Sequence, residues 1–264
     1  MKFTFFTTLV LSLLLNIGMY AQNEQLYISY KFNFIHYVGN YQVNSLTNYD
    51  SSLQTIVRNF NLQTAPGVVE NITEKRFIYK DLQNQRLYYN EELVDKILNE
   101  SLQTMKWSLT GVNKDILGYQ CNEARSTWRG REYIAYFTTE LPFKTAPWKF
   151  HGLPGVILEI YSTDEKLKIE ATELKLGQNL GEIKNIFKDE KTISWHEFIE
   201  LNNKIQKKQL EWAAKMDAQL GATNRHFSRR IELLTKFDIE SDRGFHQNIE
   251  KIKNKKLAFC SYLI

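Results

Sequence analysis

Val156-Ile157-Leu158-Glu159-Ile160-Tyr161-Ser162-Thr163-Asp164-Glu165-Lys166-Leu167-Lys168-Ile169-Glu170-Ala171-Thr172 reads as two β-strands around a polar tip. The flanking runs, 155–163 and 166–173, are rich in β-branched and apolar residues. Thr163 to Lys166 is long enough for a hairpin turn and too short for a crossover helix. Upstream, 118–127 and 131–138 have the same character, with Gly130 between them and Leu141-Pro142 after them. Consecutive strands with short connections and no alternation of strand and helix predict a meandering antiparallel sheet. A doubly wound parallel fold is disfavoured.

Earlier in the chain, Leu26, Ile28, Tyr30, Phe32 and Phe34 alternate with Ser29, Lys31 and Asn33, the period of a half-buried strand over 26–35. The polar stretch from Asn40 to Gln63 reads as loop or short helix. Shorter strand-like runs fall at 75–81, 85–90 and 105–110, with a short helix or turn expected within 91–103. From Ser194 the period changes to that of a helix. Ser194-Trp195-His196-Glu197 fits a capping box, and apolar residues from Trp195 and Phe198 to Met216 and Leu220 keep one stripe until Gly221. This predicts a helix over 195–219. The basic run Lys251 to Lys256 reads as a solvated face, and the apolar Leu257 to Ile264 as an edge strand. The expected class is α+β, mainly β.

With 264 residues, 43% hydrophobic and 24% charged, the chain has the composition of a globular protein, not of a disordered, collagen-like or polytopic membrane one. Sixteen Phe, 14 Tyr and 5 Trp suit strands and a large core. A net charge of +4 is far from the polycation that grips a phosphate backbone, so no nucleic-acid partner is expected. Met1-Lys2 followed by the uncharged run Phe3 to Ile17 and then Ala21-Gln22 is the pattern of a secretory signal, residues 1–21. The expected mature chain, 22–264, is then a single domain, exported to the periplasm, the cell surface or the medium. Export leaves two readings for Cys121 and Cys260: a disulfide closing a long loop, or two separate buried thiols.

The run Trp148-Lys149-Phe150-His151-Gly152-Leu153-Pro154-Gly155-Val156-Ile157 carries a tight-turn signal, with Pro154 presetting φ and Gly155 supplying a positive φ in a type II turn. Gly152 would let another backbone approach closely. The run resembles the motif of the GLPGLI family, exported bacterial proteins mostly without known function. Gly118-Tyr119-Gln120-Cys121-Asn122-Glu123-Ala124 is similar to that family's Gly-Tyr-x-Cys-x-x-Ala strand. Gly130-Arg131-Glu132-Tyr133-Ile134-Ala135-Tyr136-Phe137-Thr138 is similar to its next segment. Departures are Val156 for the motif's second Leu, Tyr136 where Trp is usual, and Ala146 where Gly is common. The family is in turn similar to a bowl-like, non-catalytic N-terminal domain of some secreted N-glycanases. The resemblance implies a curved, bowl-like, half-barrel antiparallel sheet, an accessory or ligand-binding role, and a structural role for Gly152, Leu153, Pro154 and Gly155.

Catalytic signals are weak. His196-Glu197-Phe198-Ile199-Glu200 lacks the second His of a zinc-protease helix, no Gly-x-Ser-x-Gly elbow or phosphate loop is present, and Cys121 sits in an alternating strand. No catalytic residue, metal or cofactor is therefore expected. If the sheet is a bowl, Arg131, Tyr133, Phe137, Trp148 and Phe150 would line its concave face, rings against a sugar or apolar chain and Arg131 on an anionic group. They could equally be core. The expected role is an exported, non-catalytic binding or accessory module for an apolar, glycan or peptide ligand or an envelope protein. The alternatives are a hydrolase of unrecognised type on glycans or peptides, and an envelope-assembly component.

Overall fold

A computed structural model describes residues 24–34, 40–65, 67–91, 94–102 and 105–220. The expected signal segment 1–21, the apolar tail at 257–264 and Cys260 lie outside the described residues. The elements run β1 (Glu24–Phe34), β2 (Asn40–Thr47), β3 (Ser51–Ala65), β4 (Val68–Asp81), β5 (Arg86–Glu91) and β6 (Lys96–Ser101). They continue with β7 (Ser108–Ile116), β8 (Tyr119–Trp128), β9 (Arg131–Thr138), β10 (Val156–Ser162), β11 (Leu167–Gln178), β12 (Thr192–Ile193) and helix α1 (Trp195–Leu220).

All twelve strands join one sheet in the order β12-β6-β5-β4-β3-β2-β1-β11-β10-β9-β8-β7. Every pairing is antiparallel except the short β12–β6 contact. The chain makes two meanders, β2 to β6 and β7 to β10, which β1 and β11 stitch together at the centre. The sheet is open and curved, a half-barrel and not a closed one. The expected hairpin is present: Ser162 and Leu167 bracket the tip, and Glu165, at φ 59°, donates its N–H to the Ser162 carbonyl at 2.9 Å. Gly130, at φ 80°, and Arg129, at φ 45°, make the tight β8–β9 turn, positive φ at both central positions.

Alternation in β1 places Leu26, Ile28, Tyr30 and Phe32 inside. The polar stretch after Asn40 departs from expectation, forming β2 and most of the 15-residue β3 instead of a loop or helix. Its inner face carries Ser45, Thr47, Ser52 and Gln54, each at most 1% exposed, so the buried side of the pleat has no hydrophobic period to read. The region 91–103, expected as helix or turn, contains strand β6.

Helix α1 begins as predicted. The Ser194 N–H and hydroxyl both donate to Glu197 Oε2 at 2.7 Å, and the Glu197 N–H returns a bond to Ser194 Oγ at 3.3 Å. Phe198 and Asn202 are buried, and the Trp195 ring lies tilted against Phe198 at 5.3 Å. Among the described residues, no helix is long and apolar enough to cross a membrane.

Candidate functional site

What occupies the concave side of the sheet is the connector between β9 and β10, residues 139–155. Leu141, Phe143, Thr145, Ala146, Trp148, Lys149, Phe150 and Leu153 are all buried. Polar groups from β3 and β4 hold its backbone, and one from β2 meets its Thr145 side chain. Gln54 Nε2 donates to the Ala146 carbonyl at 2.8 Å. Lys80 Nζ donates to the carbonyls of Ala146 at 2.8 Å and Phe150 at 2.6 Å. Thr47 and Thr145 join hydroxyls at 3.0 Å, and Ser52 and Ser45 extend that hydroxyl row. Burial lowers the Lys80 pKa to about 7. Trp107 Nε1 closes the far side with a 2.9 Å bond to the His151 carbonyl.

Against β8 and β9 the connector meets rings. Phe150 lies edge-on to Tyr133 at 4.9 Å and to Trp148 at 5.2 Å, and Trp128 sits 5.7 Å from Phe150. Lys149 places its ammonium 4.0 Å from the Tyr89 ring centre and 3.6 Å from a Glu91 oxygen. The Arg129 guanidinium lies over Trp128 at 4.3 Å and over Trp195 of α1 at 3.7 Å, and pairs with Glu100 of β6 at 2.6 Å. Because β6 and β8 lie near opposite edges of the sheet, this ion pair and α1 bridge the gap that pairing leaves open.

The structure thus brings Tyr133, Trp148 and Phe150 into one cluster, with Phe137 further along β9 against Gly155. Arg131 pairs with Asp164 at the hairpin tip. All five are at most 8% exposed, so as folded here none offers a face to solvent. Sequence reasoning missed Gln54, Lys80, Thr145, Arg129 and Trp128. A lysine inside a strand between Tyr79 and Asp81 carries no sequence signal of burial.

Gly152 and Gly155 exchange the roles expected of them. Gly152 has φ +99°, whereas Gly155 has no positive φ. A Cβ on Gly155 would stand 2.0 Å from the Thr138 carbonyl oxygen, so it is Gly155 that admits the neighbouring backbone.

Cys121 is 1% exposed, and burial, the largest effect, raises its thiol pKa to about 11. That is the opposite of what a nucleophile needs. Reduced native protein should label at Cys121 at least about 100-fold more slowly than unfolded protein near pH 7.5, as followed by thiol reagent and peptide mapping. Equal rates would contradict the burial. Among the described residues, no three His, Cys, Asp or Glu side chains cluster to hold a metal.

An open cavity of about 220 Å³ lies at the end of β1 and β2, lined by Lys31, Asn33, Asn40, Gln42, Asn59 and Thr172 beside Tyr30, Phe32 and Tyr41. Four carboxamides and no carboxylate line it. Gln42 already donates to Ser29 Oγ at 2.7 Å, and Thr172 to the Ser29 carbonyl at 3.1 Å, which fixes that wall.

No family model and no curated protein matches the chain. Two crystal forms of PNGF-II are similar over 65% and 67% of this chain, at 16% identity and TM-scores of 0.46 and 0.48. The chain spans about a third of PNGF-II, 31% and 32% of its length in the two forms. The Pseudomonas aeruginosa MucA/MucB complex is similar over 61% of this chain and 55% of its own, at 9% identity and a TM-score of 0.37. At such distances no activity transfers.

Proposed function

We propose that the chain is an exported binding or accessory module of the bacterial envelope, of GLPGLI type, with residues 22–264 as one domain after a cleaved signal. The observation that carries this reading is the open cavity of carboxamides on the outer face of the sheet, opposite the concave side that the protein fills with its own connector. Asn and Gln each offer donor and acceptor. A wall of Asn33, Asn40, Gln42 and Asn59 therefore suits a neutral ligand rich in hydroxyls or amides, a glycan or a peptide. Buried rings such as Tyr133, Trp148 and Phe150 then stiffen the scaffold beneath the site. The raised thiol pKa of Cys121 speaks against nucleophilic chemistry there.

Native mass spectrometry of mature protein from its own periplasm tests this. The expected result is a retained glycan or peptide mass that Asn33→Ala, at an exposed position of the cavity wall, weakens without changing the melting temperature. Turnover of that ligand would overturn the non-catalytic reading. Empty protein that also binds neither ligand class on addition would overturn the binding reading.

A further inference from the structure

An irregularity of the sheet builds the cavity at the end of β1 and β2. Opposite β1 the register of β11 passes from Glu173 to Ala171, which leaves Thr172 as the extra residue of a bulge. Thr172 lines the cavity, and its hydroxyl is spent on the Ser29 carbonyl.

The bonds this wall makes within the protein fix what it offers a ligand. Gln42 uses its Nε2 on Ser29 Oγ at 2.7 Å and on Asn44 Oδ1 at 3.2 Å, which sets the amide and leaves Oε1 as an acceptor. Asn59 is set the opposite way. Its Oδ1 accepts from the Thr73 hydroxyl at 2.8 Å, and Nδ2 is left as a donor. The side chains of Asn33 and Asn40 make no hydrogen bond among the described residues, so each offers both. Lys31 adds an ammonium, a donor only.

We infer that the ligand of this cavity is an oligosaccharide and not a peptide, seated with a hydroxyl donating to Gln42 Oε1 and a sugar oxygen accepting from Asn59 Nδ2. The inference rests on the binding reading above and narrows it. An extended peptide is held chiefly by the main chain of a free strand edge. Here β1 pairs with β2 and β11, and β2 with β1 and β3, so neither strand has an open edge at the cavity. A helical peptide needs an apolar groove for its anchors. The exposed side chains of this wall are Lys31, Asn33, Asn40, Gln42, Asn59 and Thr172. Each sugar hydroxyl donates and accepts at one oxygen, so neighbouring hydroxyls can meet an acceptor, a donor and a mixed group in turn. At about 220 Å³ the cavity is smaller than the roughly 300–1,000 Å³ of pockets for drug-sized ligands, which suits the end of a glycan chain.

Nuclear magnetic resonance titration of the mature chain tests this, with neutral oligosaccharides of hexoses and of N-acetylhexosamines against short peptides with blocked termini. The oligosaccharides should shift the side-chain amide signals of Asn33 and Asn40, and the peptides should not. Asn59→Asp keeps the acceptor that Thr73 uses and removes the Nδ2 donor. It should weaken oligosaccharide binding at least about tenfold with the melting temperature unchanged. Peptides that bind at these residues while oligosaccharides do not would overturn the inference and leave the binding reading standing. Oligosaccharide binding indifferent to Asn59→Asp would overturn the seating. Binding of neither class would overturn both readings.

Discussion

Gly155→Ala is expected to lower the free energy of unfolding in urea by about 3–5 kcal/mol, among the largest effects of any single methyl group in this chain. The new Cβ would lie 2.0 Å from the Thr138 oxygen and 2.8 Å from its carbonyl carbon. Those are backbone atoms of a fully buried residue, so no rotamer change relieves the clash. Thr138 pairs with Val156 where β9 and β10 meet, and relief would have to separate these strands. Gly152→Ala gives the contrast. Its positive φ costs about 1–2 kcal/mol, but its Cβ would find neighbours no nearer than 3.4 Å. A Gly155→Ala variant within 1 kcal/mol of the parent would contradict the close approach.

Lys80 sets the second large effect. Its ammonium is 1% exposed, with two carbonyls and no carboxylate bonded to it, and burial lowers its pKa from 10.5 to about 7. Between those values the unfolded chain holds a proton that the folded chain has released. Stability therefore rises with pH from about 7 towards 10.5, by up to roughly 5 kcal/mol if the whole shift is expressed. Other buried groups bound the window, Cys121 among them: its thiol, raised by burial to about 11, removes stability as the pH rises past 9. His151, its pKa lowered to about 4 mainly by burial, costs stability only below its ordinary range. Tyr30, raised by burial, removes stability above pH 10. Urea titrations between pH 7.5 and 9.5 should show the rise, and Lys80→Met should abolish it. At pH 9.5 the same variant should be less stable by about 2–4 kcal/mol, because the carbonyls of Ala146 and Phe150 lose their donor. A wild-type slope retained by Lys80→Met would contradict this assignment.

The strands with apolar alternation, the hairpin at Thr163–Lys166 and the capping box at Ser194 were legible because each rests on local chemistry. β2 and β3 were not. Their inward residues, Ser45, Thr47, Ser52 and Gln54, face the backbone carbonyls and hydroxyls of a connector some 90 residues away in sequence, and a polar inner face has no hydrophobic period. For the same reason Lys80 looked like a surface residue. The aromatic positions Tyr133, Trp148 and Phe150 were legible as a group, but their exposure depends on where the connector runs. For the glycines of the motif, which one carries positive φ and which admits a neighbouring backbone depends on the path of the chain from Met105 to Trp107 and on Thr138.

Hydrogen exchange of the mature chain tests most directly whether the connector is part of the core. Amide protons in 145–157, including Ile157 N–H bonded to the Thr145 carbonyl at 2.9 Å, should be protected nearly as well as those of β9 and β10. Fast exchange across 145–155 while β9 and β10 stay protected would show a connector that leaves the concave face open, and would contradict this account.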